Sequence, residues 1–474
     1  MKWLTCLWLL SFSTALVAQP SVSELFQHSV YDHTSTGLSV REMGTGQEVT
    51  AVQSDKLLTP ASSLKLLTTF VGLSVLGTDF RFETTLTYTG ELSRDGTLSG
   101  DLYIIGGGDP TLGAGRVEGT LDLPSLIEDI AKRCAKAGIT CIDGDVIVDT
   151  GHYGQQVVPD QWNYNDIGNY YGSGSWGINL NENLYRVYFR GGSKLGSTAN
   201  IKKIVPETTQ LSLTSQVRVA GAKTGDQAYI YGIPREKAKI IRGTIPQTSQ
   251  LFSIKGALSD PPLLLAELVE RGLQDVGIRT QGNYRQGILQ EKVTTLHTYQ
   301  SPPLSTVATE ANRHSINLYC EAILKELGRQ QKGHGSLANG IAVVYDYLEE
   351  RGLPTDELTL KDGSGLASEN KITPSLMTSY LVQAQQEIGT NILAYLPQVG
   401  KEGTVRSLLK GQPVAKHFYL KSGSFEGVQS YTGYVKAKSG KSYAICIMVN
   451  NYKVKYRQLK PQLEKLLLAI YTGG

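Results

Sequence analysis

A chain of 474 residues, 40% of them apolar and 51 of them glycine, has core material for more than one domain and implies many turns. Its 46 basic and 43 acidic residues leave a formal charge of +3, too balanced for a nucleic-acid partner, and no basic stripe with interleaved aromatics appears. The seven histidines show no ligand spacing and no cysteine pair has zinc-site partners, so neither a metal nor any other cofactor is expected.

Lys2 precedes an apolar run from Trp3 to Val17 broken only by threonine and serine, and Ala18 before Gln19 suits cleavage. Residues 1–18 read as a signal peptide, too short for a membrane span, and the expected location is the periplasm or cell envelope. Peripheral membrane association and the oligomeric state stay open. A strand hairpin is expected around 37–52. The run Leu64, Leu66, Leu67, Phe70, Leu73, Leu76 then suits a buried helix beginning at or near Ser62. Residues 80–88 and 100–105 alternate as half-buried strands, and a helix over 124–137 precedes a strand at 145–149. Cys134 and Cys141 flank the end of that helix and either pair in an oxidising compartment or remain two free thiols. Cys320 and Cys446 fall in apolar patterns and read as core.

The helix-then-strand sense returns over 262–278, a weak internal echo, and the sequence between, 184–252, is all strand and turn by pattern. From 294 the chain turns helical again and ends in strands at 418–420, 428–436 and 443–449, followed by an amphipathic helix over 456–471. The fold class is α+β. Residues 19–85 and 294–474 are expected to form one domain, 86–183 and 253–293 an inserted α/β domain, and 184–252 a small β domain nested within it.

Three short elements carry chemistry: Ser62-Ser63-Leu64-Lys65, Ser315-Ile316-Asn317 and Lys421-Ser422-Gly423. Residues three apart on a helix face the same way, so Lys65 lies over Ser62 and, if neutral, takes its proton. That requires burial and a second nearby cation to lower the lysine pKa, a role Lys421 fills. Together these residues build a serine acyl-transfer site without a catalytic histidine. Each motif alone is weak. Ser368-Glu369-Asn370-Lys371 imitates the first two, and Lys223-Thr224-Gly225 and Lys438-Ser439-Gly440 imitate the third. Context selects among them: Ser368 sits in a polar loop closed by Pro374, and the other two lysines sit in turns, whereas Lys421 follows a strand. His314 beside Ser315 reads as structural, because adjacent helical residues point apart.

The order and surroundings of the three elements resemble the penicillin-recognising serine transferases, with a beta-lactamase/transpeptidase-like catalytic domain. More closely they resemble the D-alanyl-D-alanine carboxypeptidases and endopeptidases of the penicillin-binding protein 4 type, the low-molecular-mass class C group of S13 serine peptidases. Ser315 stands 250 residues after Lys65, as in that group with its large insertion. Gly107-Gly108-Asp109-Pro110-Thr111-Leu112, Leu180-Asn181-Glu182-Asn183, Arg313-His314-Ser315, Asp362-Gly363-Ser364-Gly365-Leu366 and Gly403-Thr404-Val405-Arg406 match it as well. The resemblance covers essentially the whole mature chain. It implies peptidoglycan stem peptides ending in D-Ala-D-Ala as substrate and beta-lactams as acylating ligands. It assigns Ser62 as nucleophile, Lys65 as base, Ser315 as proton relay and Asn317 as orienting amide. Lys421 and Ser422 then bind the terminal carboxylate, Gly423 joins them in the substrate-binding set, and the backbone amides of Ser62 and Ser424 form the oxyanion hole. Asp166 matches a cleft-bordering aspartate of the inserted domain, though with two extra residues in its local spacing; the alternative is a solvated or capping aspartate.

Two positions depart from the family pattern. Ile316 replaces a frequent aspartate, and Ser422 stands where threonine is usual; neither removes a catalytic group. Two other function classes share parts of this pattern. A beta-lactamase or S-x-x-K esterase would keep the acylation machinery without the long insertion, and a wall-binding protein would have no need of the reactive residues.

Overall fold

The computed structural model describes residues 22–192 and 194–473, and the expected signal peptide lies outside them. A five-stranded antiparallel sheet runs in the order Glu48–Val52, Ser35–Glu42, Ser442–Asn450, Val428–Lys436, Phe418–Phe425. The N-terminal hairpin therefore closes directly onto the last strand of the chain. Ser442–Asn450 shows why the sheet is buried on both faces. Ala444, Cys446 and Met448 enter one core with the helices Lys65–Leu76, Leu304–His314, Asn317–Lys332 and Pro374–Ile388, while Ile445, Ile447 and Val449 enter another with the C-terminal helix Tyr456–Gly473. The decoy motifs lie where context put them: Lys438 to Gly440 turn between Val428–Lys436 and Ser442–Asn450, and Ser368 to Asn370 form a turn.

Between the serine helix and Leu304 the chain builds two further units. The first has a sheet in the order Tyr284–Gly287, Val146–Asp149, Leu102–Ile105, Glu83–Tyr88, Thr294–Gln300 and a second in the order Arg279–Thr280, Cys141–Ile142, Thr97–Ser99, Glu91–Leu92. The helices Leu123–Lys136 and Pro261–Asp275 pack together beside them. The echo in the sequence has a structural counterpart with three members, since 97–105, 141–149 and 279–287 run parallel in register. At the middle of each copy a glycine precedes Asp101, Asp145 or Asn283. The Asp101 carboxylate accepts from the Asp145 N–H at 2.7 Å and the Asp145 carboxylate from the Asn283 N–H at 2.8 Å. A Cβ on Gly144 would stand 2.2 Å from Asp101 Oδ1 and 2.5 Å from the Gly100 carbonyl, so the copies approach closely only through glycine.

The second unit contains only strands and turns among its described residues: Asn200–Val205, Leu184–Arg190 and Leu251–Ala257 in one sheet, Ser212–Ser215, Ala238–Pro246, Arg218–Ala220 and Gln227–Tyr231 in another. Two expected boundaries shift. Leu251–Ala257 pairs along the whole of Leu184–Arg190, which carries the nested sheet past 252 to 257. Thr294–Gln300 pairs with Glu83–Tyr88, so the inserted sheet begins before 86 and ends after 293. The outgoing and returning strands of an insertion pair with each other, and a single strand's pattern does not reveal its partner. The four described cysteines are free and buried, which resolves the open reading of Cys134 and Cys141 in favour of two thiols.

Replacing Gly144 by alanine overpacks the three-copy ladder and is expected to cost about 1–3 kcal/mol. Thermal unfolding of Gly144→Ala against the parent measures this, and an unchanged midpoint would contradict the close-approach requirement.

Candidate active site

Ser62 lies in a 3-10 turn, Ala61–Leu64, that leads straight into the helix Lys65–Leu76. The turn is held tightly. Ala61 is fully buried with φ 47°, a left-handed conformation that costs a non-glycine residue energy, and the Pro60 carbonyl accepts from both Ser63 Oγ and Ser430 Oγ. Gly423 lets the strand Phe418–Phe425 reach this turn, because a Cβ there would lie 2.4 Å from the Pro60 carbonyl and 2.7 Å from the Ser62 nitrogen. The second element sits at a helix break. Ser315 caps Leu304–His314 in a left-handed conformation, φ 59°, and the next helix begins at Asn317.

Lys65 is completely buried, and its Nζ has three oxygen neighbours: Ser62 Oγ at 2.9 Å, Asn317 Oδ1 at 2.6 Å and the Ser364 carbonyl at 2.6 Å. Asn317 Oδ1 and the carbonyl accept hydrogens and donate none. A neutral amine satisfies both with its two hydrogens and turns its lone pair to the Ser62 hydroxyl. Burial favours that neutral form by lowering the Lys65 pKa, against the opposing pull of Cys320, Asp362 and Glu321. Lys421, also fully buried, donates to Ser315 Oγ at 2.9 Å and to the Ser422 carbonyl at 2.6 Å. Burial and then the Lys65 charge drive its pKa well below the ordinary lysine value. The five residues Ser62, Lys65, Ser315, Asn317 and Lys421 thus come together from three distant stretches of chain.

Of the remaining expected residues, Ser422 turns its hydroxyl to Thr404 Oγ1 at 2.7 Å, Gly423 makes the close approach described above, and Ser424 is exposed at the strand end, paired with Gln429. Asp166, on the short helix Tyr164–Ile167, touches none of the five. Its carboxylate accepts from Tyr171 OH at 3.2 Å and Asn163 Nδ2 at 3.3 Å. His314 faces Glu310 on its own helix, at 3.6 Å.

Several participants escape motif reading. Glu321, one turn after Asn317, accepts from the Gly363 N–H with both oxygens, each at 3.1 Å. Burial and the Asp362 carboxylate push its pKa up to about 8, which leaves it largely uncharged at neutral pH. Asp362 anchors the turn that carries the Ser364 carbonyl, accepting from the N–H groups of Gly365 and Ala367 at 2.6 Å, Trp162 Nε1 at 2.8 Å and Asn370 Nδ2 at 2.9 Å. The Asp-Gly-Ser-Gly run marked this turn in the sequence. Nothing in the sequence marked Glu321, whose spacing of four from Asn317 is common to any helix face. Other matching stretches brace the insertion, as where Glu182 accepts from Arg116 Nε at 2.8 Å and Tyr319 OH at 2.7 Å.

Residues 18–468 match the model of the D-Ala-D-Ala carboxypeptidase 3 (S13) family. The chain is 24% identical over 447 residues to D-alanyl-D-alanine carboxypeptidase DacB of Haemophilus influenzae, covering 93% of this chain and 90% of that one. It is similar in fold to the crystal structure of penicillin binding protein 4 (dacB) from Haemophilus influenzae, with a TM-score of 0.82 at 22% identity over 96% of this chain and 100% of that one. The same Haemophilus protein complexed with a novel beta-lactam gives a TM-score of 0.78 at 21% identity, covering 95% and 99%. With nearly its whole length matched, the chain belongs to the D-Ala-D-Ala carboxypeptidase 3 (S13) family.

Proposed function

We propose that the chain is a serine D-Ala-D-Ala carboxypeptidase that also cuts D,D-cross-links, acting on peptidoglycan stem peptides through a Ser62 acyl-enzyme and acylated at Ser62 by beta-lactams. The observation that carries the reading is the buried Lys65 amine, 2.9 Å from Ser62 Oγ and held by two acceptors that a neutral amine satisfies. The names of the Haemophilus relatives, one of them solved with a beta-lactam, support the substrate and inhibitor classes. The pattern of residues 1–18 supports export to the cell envelope. Among the described residues no helix is long and apolar enough to cross a membrane.

Ser62 Oγ attacks the carbonyl carbon of the penultimate D-alanine as its proton passes to Lys65. The oxyanion is held by the backbone N–H groups of Ser62 and Ser424, each such donor being worth about 2.7–4 kcal/mol in comparable sites. Collapse breaks the C–N bond as Ser315, bonded to Lys421, hands its proton to the leaving amine and is reprotonated with the proton Lys65 took from Ser62, which returns Lys65 to the neutral amine. Water then adds to the ester as Lys65 takes a proton from it, and that proton passes to Ser62 Oγ as the ester C–O bond breaks. Lys421 and the Ser422 hydroxyl bind the terminal carboxylate, which a cation and a donor together recognise. That carboxylate draws a proton onto Lys421, and the resulting charge keeps Lys65 neutral. Asp166 accepts from Asn163 and Tyr171 and from none of the five residues, and is assigned to the peptide stem rather than to the chemistry.

Ser62→Ala is expected to abolish both labelling by a fluorescent penicillin and release of D-alanine from a D-Ala-D-Ala pentapeptide, and retained labelling would refute the nucleophile. Lys65→Met is expected to slow acylation by about 10²–10⁴-fold, the span of general-base catalysis. The acylation rate should rise with pH through the lowered pKa of Lys65, because only the neutral amine accepts the proton. In Lys421→Met the neighbouring cation is lost, the Lys65 ammonium is favoured and the rising limb moves to higher pH. Mass analysis of digested peptidoglycan reads both activities, as loss of one alanine from pentapeptides and as monomers released from dimers; rapid lactam turnover without D-alanine release would favour a beta-lactamase.

A further inference from the structure

An amide side chain has an accepting and a donating end, and catalysis by Lys65 needs the accepting end of Asn317. The structure shows what makes that choice. Asn317 Nδ2 donates to the Tyr171 main-chain carbonyl at 2.7 Å, and that carbonyl can only accept, so Oδ1 is left facing Lys65 at 2.6 Å. Tyr171 belongs to the inserted unit, in the 3-10 turn Tyr170–Gly172. The helix carrying Asn317 grips the same stretch again two turns later. Buried Lys325 donates to the carbonyls of Gln156 at 2.6 Å and Ser175 at 2.7 Å, and Tyr153 OH donates back to the Ala322 carbonyl at 3.1 Å.

The far side of this stretch is fixed by the nested β unit. Buried Asn169 accepts from the Ile230 N–H at 3.1 Å through Oδ1 and donates to the Asn165 carbonyl at 2.7 Å through Nδ2, and its own carbonyl accepts from the Gly172 N–H at 2.9 Å. The Gly168 carbonyl accepts from the Ala257 N–H at 3.0 Å. Gly168 permits the contact, since a Cβ there would stand 2.0 Å from the Ile230 carbonyl, and Gly172 lets the stretch fold tightly on itself, since a Cβ there would stand 2.3 Å from the Asp166 carbonyl. The Tyr171 carbonyl is thus held between two surfaces.

We propose that residues 163–175, fastened by Asn169 and Lys325, form a positioning device in which the Tyr171 carbonyl fixes the Asn317 amide with its oxygen toward Lys65. Asn169 and Lys325 are positioning residues; neither touches the reacting atoms. The inference rests on the acyl-enzyme reading above and adds a task for the insertion. Without the Tyr171 acceptor the amide is free to turn, and an N–H facing Lys65 disfavours its ammonium form. The other groups acting on Lys65 are Lys421 from the strand, Cys320 and Glu321 from the helix of Asn317, and Asp362 from the glycine turn. Asn169→Ala changes none of their charges. Lys325→Met removes a cation that acts on Glu321, so Asn169→Ala is the primary variant.

The test follows acylation of the full chain by a fluorescent penicillin across pH for the parent, Asn169→Ala and Lys325→Met, with thermal unfolding in parallel. The maximal rate is expected to fall by about ten- to a hundredfold, as small displacements of catalytic groups do. The rising limb is expected to move to lower pH, which loosened packing alone would not produce. Should Asn169→Ala fail to fold, Asn169→Ser, which likewise changes no charge, decides by the same two readouts. Folded variants with the parent's rate and limb, or with a slower rate at an unmoved limb, would overturn the proposal while leaving the acyl-enzyme reading intact. A parent that takes no label would overturn both.

Discussion

A lysine amine with no access to water, surrounded by acceptors, is the constraint to which the rest of the molecule answers. Burying Lys65 costs free energy if it stays charged, and the fold resolves this by supplying two oxygens for a neutral amine and leaving its lone pair to Ser62. Glu321 and Asp362 pull the other way, toward the ammonium form. Glu321 is itself largely uncharged because of burial, which weakens that pull at neutral pH. Lys421, on the opposite wall, is held well below the ordinary lysine pKa by burial and then by the Lys65 charge, so the two buried amines disfavour being charged together.

The walls of the site come from elements that approach more closely than ordinary side chains permit. Gly423 brings the edge strand against the serine turn, and Gly365 stands where a Cβ would meet the Ala61 carbonyl at 2.1 Å. Ala61 and Ser315 adopt left-handed conformations in the same region. Such strain is sustained by the dense packing of the helical lobe and the sheet, and it accompanies the placement of Ser62 against Lys65 and of Ser315 against Lys421. The departures from the family pattern fit without disturbance: Ile316 packs at the edge of the lobe core, and the Ser422 hydroxyl has Thr404 as partner.

The insertion is built economically, by three parallel copies of one strand-glycine-strand unit in which Asp101 and Asp145 each receive the next copy's N–H. Its contacts with the catalytic lobe are polar and specific. Trp162 reaches Asp362, Lys325 reaches two carbonyls of the insertion, and Arg116 spans Glu182 and Glu310. Directional bonds of this kind fix orientation more strictly than apolar packing, because each buried polar group left unpaired would carry a large cost.

The sequence alone singled out Ser62, Lys65, Ser315 and Lys421, because their motifs are local and their order and context along the chain set aside the decoys at Ser368, Lys223 and Lys438. Period-two and helical patterns likewise determined the elements of the helical lobe and the final sheet, and the single-sided echo of helix and strand pointed to an inserted repeat. Tertiary structure decided the rest. The third copy of that repeat, the shifts of the insertion boundaries to 257 and 300, and the state of Cys134 and Cys141 all depend on pairing between distant segments. Glu321 and the Tyr171 carbonyl carry no motif, and the Asp-Gly-Ser-Gly run marks the turn of Ser364 but not the task of its carbonyl, since main-chain groups exist at every position and a buried carboxyl looks like any helical glutamate. They gain their roles only when folding removes water and brings the Ser364 carbonyl to Lys65, the Tyr171 carbonyl to Asn317 and the Glu321 carboxyl to the Gly363 N–H.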